Sequence, residues 1–139
     1  RPFTMDDHEE VLNLWASTGA EHSPAGRDSR EHIEREISRP TSIFIVAEAD
    51  GRIVGTVFGT HDGRKGWINR LVVHPAWRRR GIATRLVREV EERLEGMGIE
   101  IVAALIWKWN RVSRLVFERM GYVLAEDCLY YSKRRHRDV

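Results

Sequence analysis

One stretch of the sequence, residues 68–94, restricts the fold more than any other: INRLVVHPAWRRRGIATRLVREVEERL. Its apolar, β-branched beginning is typical of a strand, and Pro75 ends that strand because proline has no N–H for a sheet ladder. From Gly81 to about Glu95, apolar residues recur at the spacing of an amphipathic helix. A basic loop with one glycine therefore joins a strand directly to a helix.

This junction has the properties of an anion site. The first turn of a helix carries unpaired N–H groups and a partial positive charge. Gly81 lets the backbone approach a phosphate closely, and Arg78, Arg79 and Arg80 add positive charge. The Gly-Lys-Ser/Thr of a P-loop is absent, and only one glycine of a dinucleotide-binding motif is present. We predict a phosphate-binding loop; a solvated basic turn is the alternative.

The rest of the chain predicts an α+β fold. Two helices come first, followed by a hairpin that turns at Asp50-Gly51 and by a third strand. After the long helix, the pattern predicts a strand buried on both faces over Ile99 to Trp107 and a short helix over Val112 to Met120. Tyr122 to Ser132 is predicted as one or two edge strands. We expect a mixed sheet flanked by helices, in a single domain over residues 1–139.

Composition argues against several other classes of protein. Hydrophobic residues make up 42% and charged residues 32% of the chain, and no apolar run approaches the roughly 20 residues of a membrane span. A net charge of +2 is too small to indicate a nucleic-acid-binding domain. Cys128 is the single cysteine, which excludes an internal disulfide and leaves the cytoplasm as the default compartment. The scattered histidines predict no metal site.

Two motifs resemble those of the GNAT superfamily of N-acetyltransferases. Arg78-x-x-Gly81-x-Ala83, after a Val-Val-His-Pro strand, resembles motif A, whose backbone amides bind the coenzyme A pyrophosphate. A downstream segment resembles the family's second motif at Asn110, Ser113, Val116, Phe117, Glu118, Gly121 and Tyr122. The resemblance covers essentially the whole chain.

This resemblance implies an acetyl-CoA-dependent N-acetyltransferase that uses no metal and acetylates a primary amine on a small molecule or a protein. It implies that central strands splay apart between Leu71–Val73 and Ala103–Trp107, where the pantetheine arm pairs with free backbone groups. Whether the chain forms a homodimer stays open. The cofactor-binding residues that it implies are Leu71, Val72, Val73, Arg78, Arg79, Arg80, Gly81, Ile82, Ala83, Thr84, Asn110 and Phe117.

The sequence departs from the family at two catalytic positions. The tyrosine that protonates the departing thiolate is replaced by Phe117, which the resemblance places beside the sulfur. The carboxylate that often acts as base is replaced by Asn69, which could position a water that accepts the proton. His61 is a second candidate base, and an ordinary turn residue is its alternative role. These departures keep an acyl-CoA-binding module without efficient catalysis as the alternative function.

Aromatic residues after the fourth strand point to an acceptor site. Alternation places Leu105, Trp107 and Trp109 on one face of the chain, where they either line the acceptor pocket or pack at the rim of the core.

Overall fold

Four strands form one sheet in the computed structural model, which describes residues 1–139. The strands are β1 (Ser42–Ala49), β2 (Arg52–His61), β3 (Lys65–Val73) and β4 (Ile101–Ala104), in that order across the sheet. β1, β2 and β3 form an antiparallel meander, and β4 joins β3 in parallel. The mixed sheet flanked by helices confirms the predicted α+β fold.

Helices cover both faces of this sheet. They are α1 (His8–Thr18), α2 (Arg30–Ile37), α3 (Ile82–Gly96) and α4 (Arg111–Arg119), with 3-10 turns at Met5–Asp7 and Pro75–Trp77. None of the helices combines the length and the apolar content that crossing a lipid bilayer requires.

The core consists of two apolar layers, one on each face of the sheet. On one face, Ile45 and Val57 pack with Val87 and other residues of α3. On the other face, Phe44 packs with Trp15 of α1 and with residues of α2. Alternate residues of β1 therefore serve opposite layers, as the twofold repeat of a strand requires.

Two glycines let α3 lie close against the sheet. A Cβ on Gly59 would lie 2.5 Å from Cγ1 of Val90, and a Cβ on Gly66 would lie 2.7 Å from Cδ1 of Leu94. Because α3 follows directly from the basic loop, this close packing also fixes the position of that loop.

The sheet opens between β3 and β4. Their pairing ends at Ile68 and Ala104, although β3 continues to Val73. On its other side, β3 carries a bulge between Asn69 and Val72, and Arg70 adopts a left-handed backbone conformation with φ of 53°. The last residues of β3 therefore present an edge to the opening rather than to a neighbouring strand.

Two predicted strands differ from the structure. The strand predicted over Ile99–Trp107 forms only at Ile101–Ala104, and Ile101 is 57% exposed rather than buried on both faces. The strands predicted within Tyr122–Ser132 do not form. Both errors have one cause, since β propensity produces a strand only where a partner strand is present. β4 has β3 as its only partner, and Tyr122–Ser132 pairs with no strand.

Candidate functional site

Two clefts lie at the opening between β3 and β4. The first, called here the loop cleft, has a volume of about 930 Å³ and lies between the end of β3, the basic loop and the start of α4. Of the predicted cofactor-binding residues, only Arg80 and Phe117 do not line it. The ten that do are Leu71, Val72, Val73, Arg78, Arg79, Gly81, Ile82, Ala83, Thr84 and Asn110.

The basic loop has a backbone that suits an anion. Arg79 and Gly81 both adopt the left-handed conformation, with φ of 64° and 77°. The N–H of Arg85 donates to the carbonyl of Gly81 at 3.0 Å as α3 begins, so the preceding amides have no partner within the helix. A Cβ on Gly81 would meet nothing within 4 Å, which means that the space beside it is open.

The loop cleft is electropositive. No aspartate or glutamate lines it, and its charged side chains are four arginines, Arg78, Arg79, Arg111 and Arg119. The first turn of α3 also carries no acidic residue. The cleft therefore suits a ligand with several negative charges, which the helix N-terminus would stabilise further.

The three loop arginines have different positions. Arg78 Nε donates to the carbonyl of Val73 at 3.2 Å, which ties the loop to the end of β3. The guanidinium of Arg80 lies 4.6 Å from the centre of the Trp77 ring. The side chain of Arg80 is thus directed to Trp77 and does not line the cleft, so a role for it in binding the cofactor stays a prediction.

Asn110 begins α4 at the opposite wall of the loop cleft. Its side-chain oxygen accepts a hydrogen bond from the N–H of Ser113 at 3.2 Å, so it is the N-cap of the helix. Both residues line the cleft.

Phe117 lies in the core instead of the cleft. Its side chain is 4% exposed and belongs to the apolar layer beneath α3. Tyr122 packs against it and donates a hydrogen bond to Glu91 at 2.8 Å. Burial, with the Glu91 carboxylate nearby, raises the pKa of Tyr122 above its ordinary range. The expectation that Phe117 lies beside a thioester sulfur therefore loses its structural basis.

The second cleft, called here the charged cleft, has a volume of about 830 Å³. Asn69 and Arg70 of β3 line it together with residues of α2 and of the C-terminal segment. Leu105 and Trp107 also line it, whereas Trp109 lines the loop cleft. The three residues therefore do not share one cleft, and their role in an acceptor pocket stays a prediction.

A buried ion pair organises the charged cleft. Arg70 Nη2 lies 2.7 Å from Asp28 Oδ2, with side chains only 16% and 7% exposed. The guanidinium lies 5.4 Å from the centre of the Trp15 ring, and the Trp15 indole N–H donates to Thr56 Oγ1 at 2.9 Å. The Thr56 hydroxyl donates in turn to the carbonyl of Arg70 at 2.8 Å, at the bulge of β3.

No local sequence signal reveals this cluster. Arg70 and Asp28 are 42 positions apart, and nothing in either local pattern pairs them. An arginine within a strand is a weak signal by itself, because a solvent-facing arginine gives the same pattern.

His61 lines neither cleft. It pairs with Gly66, whose Cβ would point at Leu94 of α3, so His61 lies on the α3 face of the sheet. Asn69 pairs with Phe58 on the opposite face. His61 Nδ1 also accepts a hydrogen bond from the N–H of Gly63 at 3.0 Å, as a turn residue would. The contacts of His61 are therefore those of a turn residue, which was its alternative role.

The two clefts meet at the opening of the sheet. On β3, Arg70 lines the charged cleft and Leu71 lines the loop cleft. After β4, Lys108 lines the charged cleft and the next residue, Trp109, lines the loop cleft. The linings of the two clefts are therefore adjacent both on β3 and in the segment after β4. No group of three or more His, Cys, Asp or Glu side chains lies together in a way that could hold a metal ion.

Comparison with known proteins gives a family match. The model of the acetyltransferase (GNAT) family matches residues 8–122. This range includes the basic loop, α3, α4 and most of both clefts.

Solved structures share the fold at low sequence identity. An aminoglycoside 6'-N-acetyltransferase, AAC(6')-IG from Acinetobacter haemolyticus, superposes with a TM-score of 0.78 at 19% identity, covering 96% of this chain and 97% of that chain. A predicted acetyltransferase from Clostridium acetobutylicum, solved with acetyl-CoA, gives 0.78 at 17% identity, covering 95% and 94%. AAC(6')-Iy in complex with the bisubstrate analog CoA-S-monomethyl-acetylneamine gives 0.75 at 20% identity, covering 96% of each.

Proposed function

Because the chain belongs to the acetyltransferase (GNAT) family, we propose that it transfers the acetyl group of acetyl-CoA to a primary amine. In this proposal residues 1–139 form one N-acetyltransferase domain, with acetyl-CoA in the loop cleft and the amine in the charged cleft. The observation that carries the proposal is that the two clefts meet at the opening between β3 and β4.

The loop cleft fits acetyl-CoA in charge and in shape. Its four arginines, the start of α3 and the open space at Gly81 suit the phosphates. The unpaired edge of β3 from Asn69 to Val73 suits the amide groups of the pantetheine arm, which can pair with it as an added strand would. The apolar residues between these two regions suit the methylene groups of that arm.

Bound acetyl-CoA supplies an activated acyl group whose carbon–sulfur bond breaks as the amine nitrogen bonds to the carbonyl carbon. The chain must hold the amine at the boundary of the clefts and accept its proton. A lysine-type ammonium has a pKa of about 10.4, so most of it is protonated at neutral pH. Asn69 lies beside Arg70 at this boundary and can hold a water that takes the proton. Backbone N–H groups of Leu71 to Val73 are the candidate donors to the carbonyl oxygen.

The absence of an acid side chain at the sulfur does not preclude turnover. A thiol has a pKa of about 8.5, so releasing it as the thiolate at neutral pH costs about 2 kcal/mol. With Phe117 in the core, the proposal assigns this step no protein acid.

The alternative is a module that binds acyl-CoA without efficient catalysis. Asn69 and the buried Phe117, at positions where the family has acid and base residues, favour this alternative. Two measurements separate the functions: calorimetric titration with acetyl-CoA, and release of the free thiol in the presence of a panel of primary amines. Amine-dependent thiol release and an acetylated product support the transferase. Binding with no release above hydrolysis supports the module, and no binding of acetyl-CoA contradicts both.

A further inference from the structure

The charged cleft has a marked excess of positive charge. Six of its lining residues are cationic and three are acidic. The cations are Arg27, Arg35, Arg39, Arg70, Lys108 and Arg134, and the acids are Glu21, Asp28 and Glu36.

All three carboxylates already accept hydrogen bonds from the protein. Asp28 is paired with Arg70. Glu36 accepts from the Ser42 hydroxyl at 2.6 Å and is also paired with Arg39 at 3.6 Å. Glu21 accepts from the indole N–H of Trp107. Asp28 and Glu36 are therefore paired with arginines, and the exposed Glu21 is the one carboxylate of the cleft without a cationic partner.

Several cations, in contrast, have unused donors. Arg27 and Lys108 are exposed and take part in no ion pair. Nε of Arg70 is buried in the wall of the cleft with no hydrogen-bond partner. Because Arg70 Nε is shielded from the cleft, the donors open to a ligand are those of Arg27 and Lys108.

From this arrangement we infer that the acceptor is a primary amine that also carries an anionic group, such as a carboxylate or a phosphate. The inference rests on the proposed function and names its substrate class. The anionic group binds the unpaired cations, and the amine lies at the boundary of the clefts beside Asn69. An acceptor with several ammonium groups would place like charges against Arg27 and Lys108, which disfavours its binding.

The same charge also helps the chemistry. Nearby cations favour the neutral form of an amine, because they repel the ammonium form. The cleft therefore raises the fraction of reactive free amine at a position where the chain offers Asn69 in place of a carboxylate base. The cationic cleft thus compensates in part for the absence of a carboxylate base.

A matched series of acceptors tests the inference. Three acceptors of similar size differ in charge: 4-aminobutanoate, its neutral amide 4-aminobutanamide, and 1,4-diaminobutane. A fourth acceptor, 2-aminoethyl phosphate, separates phosphate from carboxylate. An aminoglycoside is the acceptor with several amino groups. The readout is thiol release from acetyl-CoA. We expect kcat/KM for an anionic acceptor to exceed that for the amide by about tenfold or more, and the diamine and the aminoglycoside to be poorer than the amide.

Two variants place the effect in the cleft. Lys108→Gln and Arg27→Gln should each raise KM for the anionic acceptor severalfold and lower kcat/KM for the amide much less. Arg88→Gln is the matched control, because Arg88 is an exposed arginine of α3 outside both clefts. Calorimetry with acetyl-CoA verifies that each variant still folds and binds.

The outcomes separate the inference from the proposed function. Turnover of amines with no preference for an anion, or with the diamine or the aminoglycoside preferred, overturns the inference and leaves the transferase in place. A preference for the anionic acceptor that persists in both Lys108→Gln and Arg27→Gln also overturns the inference. Bound acetyl-CoA with no turnover of any amine overturns the proposed function and the inference together.

Discussion

The rings of Phe117 and Tyr122 meet edge to face, with centroids 4.8 Å apart and planes inclined at 79°. This contact holds Phe117 in the apolar layer beneath α3, and the bond from Tyr122 to Glu91 fixes the other ring. Because both partners are needed for the packing, the turn after α4 is anchored to the core at this point.

Phe117→Tyr should therefore lower stability without raising turnover. Its new hydroxyl would enter an apolar layer, and an unsatisfied buried polar group costs about 1–3 kcal/mol. Urea unfolding measures the loss, and thiol release measures turnover. Tyr122→Phe, which removes a hydroxyl from the same contact, is the comparison variant. A faster reaction in Phe117→Tyr would show instead that the side chain reaches the sulfur.

Gly81→Asp should weaken binding of acetyl-CoA by about tenfold or more. Two like charges about 8 Å apart repel by about 2 kcal/mol at an effective dielectric constant of 20. Gly81→Asn is the matched control, because asparagine has nearly the same size, tolerates a positive φ and carries no charge. Calorimetry compares the two variants. Equal affinities would mean that no phosphate lies beside residue 81.

Asn110→Ala should lose about 1 kcal/mol of stability, because α4 loses its N-cap. Since Asn110 also lines the loop cleft, affinity for acetyl-CoA should fall as well. Asn110→Ser keeps a capping oxygen and should retain most of the stability. If calorimetry gives both variants the wild-type affinity, Asn110 is structural only.

Asp7 should make stability depend on pH in the acid range. Hydrogen bonds from Arg1 at 2.9 Å, with a further bond from the Thr4 N–H, lower the pKa of this carboxyl. A lowered pKa means that the contribution is complete above the unfolded value of about 3.9 and is lost as the pH falls through the folded value. Urea midpoints of wild type and Asp7→Asn should therefore converge as the pH falls from about 5 to about 2. A constant difference would contradict this role for Asp7.

Gly59→Ala should destabilise the protein by about 1–3 kcal/mol, since its Cβ would overlap Val90 of α3. Gly96→Ala, in the last turn of the same helix, meets nothing within 4 Å and should be neutral or stabilising by up to about 1 kcal/mol. Thermal unfolding of the two variants tests how closely α3 packs. Equal effects would contradict the packing described here.

The sequence predicted the parts of this protein that depend on local signals. The strand ending before Pro75, the glycine at the start of α3 and the hairpin at Asp50-Gly51 each have a local physical cause, and each is present in the structure. Most of the predicted cofactor-binding residues lie together for the same reason, since they form one continuous loop and its two flanks.

Features that depend on distant partners were not predicted correctly. Which face Phe117 presents depends on where Tyr122 packs, and the position of His61 depends on the strand register with Gly66. The Arg70–Asp28 pair joins two segments that only the folded sheet brings together. Tyr122–Ser132 was predicted as strand from its residues alone, although no strand edge receives it.

The peptide bond between Arg70 and Leu71 separates two parts of the protein that can change independently. One side of the loop cleft, residues 71–84, is nearly continuous in the sequence and is tied to the close packing of α3, so its geometry tolerates little variation. The charged cleft takes much of its lining from α2, from the loop that carries Asp28 and from the C-terminal segment, all outside that packing. A laboratory selection for a new acceptor should therefore accumulate its substitutions on those three segments and leave acetyl-donor recognition as it is.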